Sequence, residues 1–277
     1  MIESKIKKRN IEHPVPKRAT NILWNIMIWG VVCISLHFGR RIFIAERFNV
    51  PTESMLPTLE PGDRIWVNKL LYGPRIYKSL NFEAHAPVKC FRLPGLRKIR
   101  PGDVICFNYP LGYDRWTVIE FRINYVYCKR VVGTPGDTIG ISDGITWNNN
   151  YKGIIGVLEN QKQIQNTPDS SLWRTTLMGT MPFTRPMWTV KNFGPLYIPK
   201  KGVTIELDSI TRTIYGPVIE YETGWWPSNE IQSYTFRNDY FFAFGDNSID
   251  SKDSRYFGFI PDDFVIGIVS GKKVKNR

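Results

Sequence analysis

Histidine is scarce in this chain. Only His13, His37 and His85 occur in 277 residues. A Ser-His-Asp triad needs an imidazole to take the serine proton, and His85 alone follows the one long hydrophobic run. Cysteine is sparse as well, at positions 33, 90, 106 and 128. No C-x-x-C pair and no Cys/His group at metal-ligand spacing appears, so neither a metal site nor a cofactor is expected. The G-x-S-x-G elbow of lipases and esterases is missing. Acidic residues are in deficit, 25 Asp and Glu against 37 Lys and Arg, for a net charge of +12. A basic chain favours nucleic acid or an anionic membrane surface. No zinc-finger, basic-leucine-zipper or RNA-recognition pattern occurs, so the membrane is the expected partner and nucleic acid is not.

The hydrophobic run is residues 21–38, free of Asp, Glu, Lys and Arg. About 20 apolar residues cross a bilayer, so this reads as one transmembrane helix. It is too long for the h-region of a cleaved signal peptide, and no A-x-A pattern follows it. Lys5, Lys7, Lys8, Arg9, Lys17 and Arg18 precede it; Arg40, Arg41 and Arg47 follow. The excess before the helix makes residues 1–20 a cytoplasmic arm and places 39–277 outside. No later stretch is long enough to span; 265–269 is far too short.

The outer part reads as antiparallel β. Pro-Gly-Asp occurs at 61–63, 101–103 and 135–137. Proline suits the second position of a turn, and glycine supplies the positive φ that a type II turn needs next. A strand-like run follows each, at 64–70, 104–109 and 138–142, and 201–207 repeats the theme without proline. Short strands between Gly/Pro turns argue for a mainly β fold. Residues 72–100, rich in Pro, Lys and Arg, read as a loop or short hairpin. Cys106 and Cys128 fall in apolar strand-like runs and are expected as buried free thiols; nothing demands a disulfide, and nothing excludes one.

Two prolines, Pro51 and Pro57, bracket Ser54 in F-N-V-P-T-E-S-M-L-P-T-L-E-P-G-D (48–63). Each fixes its own φ and extends the residue before it. That stiffness suits a nucleophile, and equally an ordinary turn. With histidine so scarce, lysine is the candidate base. Its pKa of about 10.4 must be lowered by burial before it can accept a proton. Lys129 lies in I-N-Y-V-Y-C-K-R-V-V (123–132), where Tyr127, Lys129 and Val131 share one strand face. Lys69, on the strand after the serine loop, is the rival.

Three elements, S-M-L-P-T (54–58), K-R-V-V-G-T-P-G-D (129–137) and G-D-N-S-I-D-S-K-D-S-R (245–255), follow the hydrophobic run in that order. Together they closely resemble the type I signal peptidase family. The resemblance implies a membrane-anchored enzyme with an antiparallel β-sheet catalytic domain (46–140 and 238–271) and an inserted smaller β subdomain (141–237). It implies Ser54 as nucleophile and Lys129 as general base, with Thr52 and the Ser54 N–H holding the oxyanion. Ser251 would orient the lysine, and Asp253 and Arg255 would support the site as an ion pair. Asp246 and Lys252 read as solvated turn charges. Phe48, Val50, Pro51, Met55, Leu59, Tyr127 and Cys128 take the places of residues lining small-residue pockets. The implied substrates are exported preproteins cut at Ala-x-Ala signal-peptide sites, at the outer face of a bacterial inner membrane near the export machinery. Trp225, Trp226 or their neighbours are expected to seat on lipid. Two other readings share the fold: a self-cleaving repressor, for which the N-terminal arm is too short to hold a DNA-binding module, and an inactive anchored binder. A mitochondrial processing peptidase would share the chemistry in another compartment.

Overall fold

The structure is a computed structural model that describes residues 17–79, 82, 87–110, 118–172 and 188–273. Residues 1–16 of the basic arm, with His13, and also His85 and Trp173 lie outside the described residues. The chain divides into two compact units, 1–41 and 42–277.

The described part of the first unit is helical. Helix α1 (Lys17–Gly39) runs into one π turn, Arg40–Ile44. The stretch Asn21–Ile44, 24 residues, is long and apolar enough to cross a membrane. That carries the expected span of 21–38 further, through Arg40 and Arg41. Its apolar side chains face outward, with Leu23, Trp29 and Leu36 all exposed. A helix with water on that surface would be costly, whereas lipid tails match it.

The second unit holds, in chain order, β1 (Ala45–Asn49), β2 (Arg64–Asn68), a one-turn helix α2 (Lys69–Tyr72), β3 (Arg75–Tyr77), β4 (Cys90–Arg92), β5 (Val104–Asn108), β6 (Val126–Gly133), β7 (Thr138–Ser142) and β8 (Ile145–Asn148). Then follow α3 (Leu158–Asn166), α4 (Asp169–Leu172), β9 (Phe193–Tyr197), β10 (Thr204–Glu206), α5 (Ser209–Thr223), β11 (Ser233–Thr235), β12 (Tyr240–Phe244), α6 (Ser254–Phe257), β13 (Ile260–Pro261) and β14 (Val265–Lys273). A seven-stranded sheet, ordered β1-β2-β14-β5-β6-β12-β13, forms the frame, and its recorded pairings are all antiparallel.

Strand alternation divides the core. On β5, Ile105 and Phe107 join the larger apolar cluster, while Cys106 joins a smaller one with Val50, Met55, Leu59, Ile65, Val67 and Ile266. Successive strand residues point to opposite faces, so a single strand feeds both. The larger cluster also takes Phe193, Leu196, Tyr215 and Val218 from the inserted segment 141–237. That segment carries the ribbon β10-β11, three helices and strands β8 and β9, which pair with β7 at its boundary in a three-stranded sheet. Helix α5 opens with a capping box between Asp208 and Thr211 and ends on left-handed Gly224. Residues 72–100 hold the β3–β4 ribbon, clamped by Arg92 onto the carbonyls of Gly73, Asp262 and Val265. Trp225 and Trp226 follow α5, at 79% and 45% exposure.

The three Pro-Gly-Asp turns are built alike. Gly62, Gly102 and Gly136 have φ of 95°, 94° and 93°. In each, the aspartate side chain takes the backbone N–H three residues back: Glu60 to Asp63, Arg100 to Asp103 and Thr134 to Asp137, at 2.9, 2.9 and 2.8 Å. Glycine allows the turn, and aspartate locks it before the strand starts. A Cβ on Gly102 would meet no atom within 4 Å, so Gly102→Ala isolates the backbone term. It is expected to cost about 1–2 kcal/mol, read as a lowered unfolding midpoint with an unchanged circular dichroism spectrum.

Candidate active site

Strand β1 delivers the chain to Val50, where a loop closes on itself. Val50 N donates to Asp63 O at 2.9 Å, and Gly62 N to Val50 O at 2.8 Å. Within that loop Leu59 N reaches Met55 O at 2.9 Å, a helical turn that directs both side chains inward. Met55 and Leu59 are 2% and 3% exposed. The buried pair anchors the turn and leaves Ser54, just before it, at the surface of a cleft.

Strand β6 delivers Lys129 to the same place. Its Nζ lies 2.5 Å from Ser54 Oγ and 3.1 Å from Ser251 Oγ. Lys129 is 3% exposed. Burial pushes its pKa down, against the opposing pull of Asp253, because the apolar interior penalises the charged form. An amine at that distance can take a hydroxyl proton when it is uncharged, and the lowered pKa favours that form. Thr52 Oγ1 sits 3.2 Å from Ser54 Oγ. The rival lysine is elsewhere occupied: Lys69 Nζ pairs with Glu46 Oε2 at 2.9 Å, starting α2.

The segment 245–255 arranges these parts. Asn247 N donates to Ser54 O at 3.1 Å, and Asn247 Nδ2 to Glu53 O at 3.2 Å. Asp253 and Arg255, 0% and 1% exposed, form a two-point ion pair, Nε to Oδ1 at 2.9 Å and Nη2 to Oδ2 at 2.7 Å. Burial alone would raise the Asp253 pKa, but Arg255 and the Gly245 N–H hold it below the usual carboxylate range. The carboxylate beside the lysine is thus committed to a partner of its own.

Asp246 differs from the expectation of a solvated turn charge. It is 3% exposed, gripped by Arg130 Nε and Nη2 at 2.7 and 2.6 Å and by Thr58 Oγ1 at 2.5 Å. Arg130 follows Lys129, on the other face of β6, so the pair ties the lysine strand to the serine loop. A charge buried this deeply requires such a partner. Lys252 is exposed and lies over the Tyr109 ring at 5.9 Å.

A cleft of about 380 Å³ opens beside Ser54 and Lys129. Phe48, Val50, Pro51, Thr52, Met55, Tyr127 and Cys128 line it. Leu59 does not; the turn onto Met55 buries it in the cluster behind. Asn49, Glu53, Ile65, Cys106, Val126, Asp250 and Lys252 also line the cleft. Strand alternation was the signal for Ile65 and Cys106, and for Val126, two residues before Cys128 on β6; Asp250 and Lys252 lie in the 245–255 motif. Among the described residues no cluster of metal-binding side chains occurs.

Register leaves one edge of β6 open. Val126–Arg130 pairs with β5, whereas β12 pairs only with Arg130, Val131 and Gly133. The β12 side of residues 126–129 therefore has no partner among the described strands, and it borders the cleft.

A Cβ on Gly245 would lie 2.1 Å from Ser251 Oγ and 2.4 Å from Ser54 O. Gly245→Ala must push apart the two hydroxyl-bearing segments that flank Lys129. An ångström of displacement at reacting groups can cost about 100-fold in rate. Turnover by that variant is expected to fall on that order with KM nearly unchanged, in steady-state kinetics.

The profile described as "Signal peptidase, peptidase S26" matches residues 23–272. The chain is 30% identical over 237 residues to a protein of Pseudomonas aeruginosa named signal peptidase I, covering 82% of this chain and 64% of that one. It is 31% identical over 238 residues to the signal peptidase I of Rickettsia conorii, covering 84% and 73%.

Proposed function

This chain belongs to the signal peptidases of peptidase family S26, and from that membership we propose that it is a membrane-anchored serine endopeptidase. Its substrates are exported preproteins, from which it removes the signal peptide after small residues of Ala-x-Ala type. The observation that carries the reading is the 2.5 Å approach of Ser54 Oγ to a buried lysine amine.

Ser54 Oγ attacks the scissile carbonyl while Lys129 Nζ takes its proton. The oxyanion is met by the Thr52 hydroxyl and the Ser54 N–H. Lys129 then passes its proton to the leaving amine, and the acyl-enzyme forms. A water, deprotonated by the same amine, releases the acid and restores Ser54. Ser251 Oγ, 3.1 Å from Nζ, keeps the amine aimed through both steps. The substrate lies extended along the open edge of residues 126–129, adding a strand there. Phe48, Val50, Pro51, Met55, Tyr127 and Cys128 bound the small pockets for its side chains.

The span in α1 anchors the enzyme, with the basic arm inside and the catalytic unit outside a bacterial inner membrane. Exposed Trp225 and Trp226 seat on the lipid interface. Trp225→Ala with Trp226→Ala is expected to weaken liposome binding of the purified chain, as measured by co-flotation.

Cleavage of an Ala-x-Ala preprotein by the detergent-solubilised chain is expected, and is lost in Ser54→Ala and Lys129→Ala while both stay folded. Retained cleavage in Lys129→Ala would overturn the dyad. Only the neutral amine can act, so kcat/KM should rise with pH as Lys129 deprotonates. Because burial lowers this group, the midpoint of that limb lies below the roughly 10.4 of a free lysine. A limb centred at the free value would contradict the reading.

A further inference from the structure

Cys106 on β5 and Cys128 on β6 face each other directly across the strand pair. Their sulfurs are 3.2 Å apart, both thiols are free, and both line the cleft. Cys106 is 1% exposed, whereas Cys128 is half-buried. The other two cysteines are unlike this pair. Cys33 sits on α1, and the Cys90 thiol donates to Asp263, with burial first and then that carboxylate pushing its pKa up to about 12. We propose that Cys106 and Cys128 form a thiol–disulfide exchange site in the wall of the substrate cleft, which takes a disulfide oxidant and slows peptide cleavage when it closes. The effect on cleavage rests on the function proposed above; the covalent closure does not.

Directly opposed residues on antiparallel strands have their Cα atoms about 4.5–5.5 Å apart, within the range a disulfide accepts. Closing needs the sulfurs to move from 3.2 Å to about 2.05 Å. The steps balance with a disulfide R–S–S–R. The Cys128 thiol, reachable from the cleft, forms a mixed disulfide and releases one R–SH. The Cys106 sulfur then attacks Cys128 Sγ, the Cys128–S–R bond breaks, and the Cys106 proton leaves with the second R–SH. Burial holds the Cys106 thiol well above its usual range, so this second step is the slow one. A catalytic unit outside the membrane meets disulfides rather than a reducing thiol pool.

Closure acts on the site through the chain. Cys128 precedes Lys129, in the half of β6 that β12 does not brace. A pull of about 1 Å on Cys128 is therefore passed into the main chain of Lys129, whose Nζ spans 2.5 and 3.1 Å contacts. Displacements of that size at reacting groups cost about tenfold to 100-fold.

The test treats the full chain in detergent with oxidised glutathione, blocks remaining thiols with N-ethylmaleimide and maps peptides by mass spectrometry. The expected result is a linked β5–β6 peptide lighter by the mass of H2. With it, kcat/KM should fall about tenfold or more and return on adding dithiothreitol. Cys106→Val and Cys128→Val, each compared with its own reduced form, should lose the oxidant response, whereas Cys90→Ala should keep it. Free thiols at both positions, or a glutathione adduct on Cys128 that Cys106 never displaces, would overturn the proposal. A mapped disulfide with unchanged cleavage would overturn its link to the site. A reduced chain that cuts no peptide would instead overturn the peptidase reading, and the peptide map would still decide the closure.

Discussion

The geometry around Ser54 depends on one amine buried inside protein, that of Lys129. Lys129 has apolar surroundings that lower its pKa and a carboxylate nearby, Asp253, that would raise it again. The conflict is resolved by Arg255, which takes Asp253 at two points in a fully buried pair. Two charges are buried against each other beside the lysine, and Arg255 offsets the upward pull of Asp253 on its pKa; such a pair is a poor source of net stability.

The same segment solves the geometric problem. Within eleven residues it supplies clearance at Gly245, a grip on Arg130 through Asp246, a donor to the Ser54 carbonyl through Asn247 and a hydroxyl for Lys129 through Ser251. Asp253 and Ser254 then fasten it back to β12 through the Gly245 and Ala243 N–H groups. The serine loop and the lysine strand are far apart in sequence and are held in register by this third piece. None of the three is a site alone.

Much of this is legible in the sequence. The Pro-Gly-Asp turns marked where β2, β5 and β7 begin, because a proline, a positive-φ glycine and an N–H-accepting aspartate leave few alternatives. Strand pattern favoured Lys129 over Lys69 without excluding the rival; Glu46, the residue that pairs with Lys69, lies 23 positions away. Leu59 was expected at the cleft from the family resemblance, but the turn closing on Met55 O directs it inward. Helix α5 was hidden by Gly216-Pro217 in its middle, which reads as a break; the flanking cap residues and packing against the core override it. Nothing local marks Asn160, on α3 in the inserted segment, whose Nδ2 donates to Leu56 O at 3.1 Å and Asp246 O at 2.6 Å. Contacts between distant segments leave no periodicity to read.

The change of partner along β6 has a consequence for selectivity. Where β12 takes over, at Arg130, no guest strand can continue. The free edge is four residues long, residues 126–129, so under the proposed reading an extended substrate can pair with the sheet over only that short window.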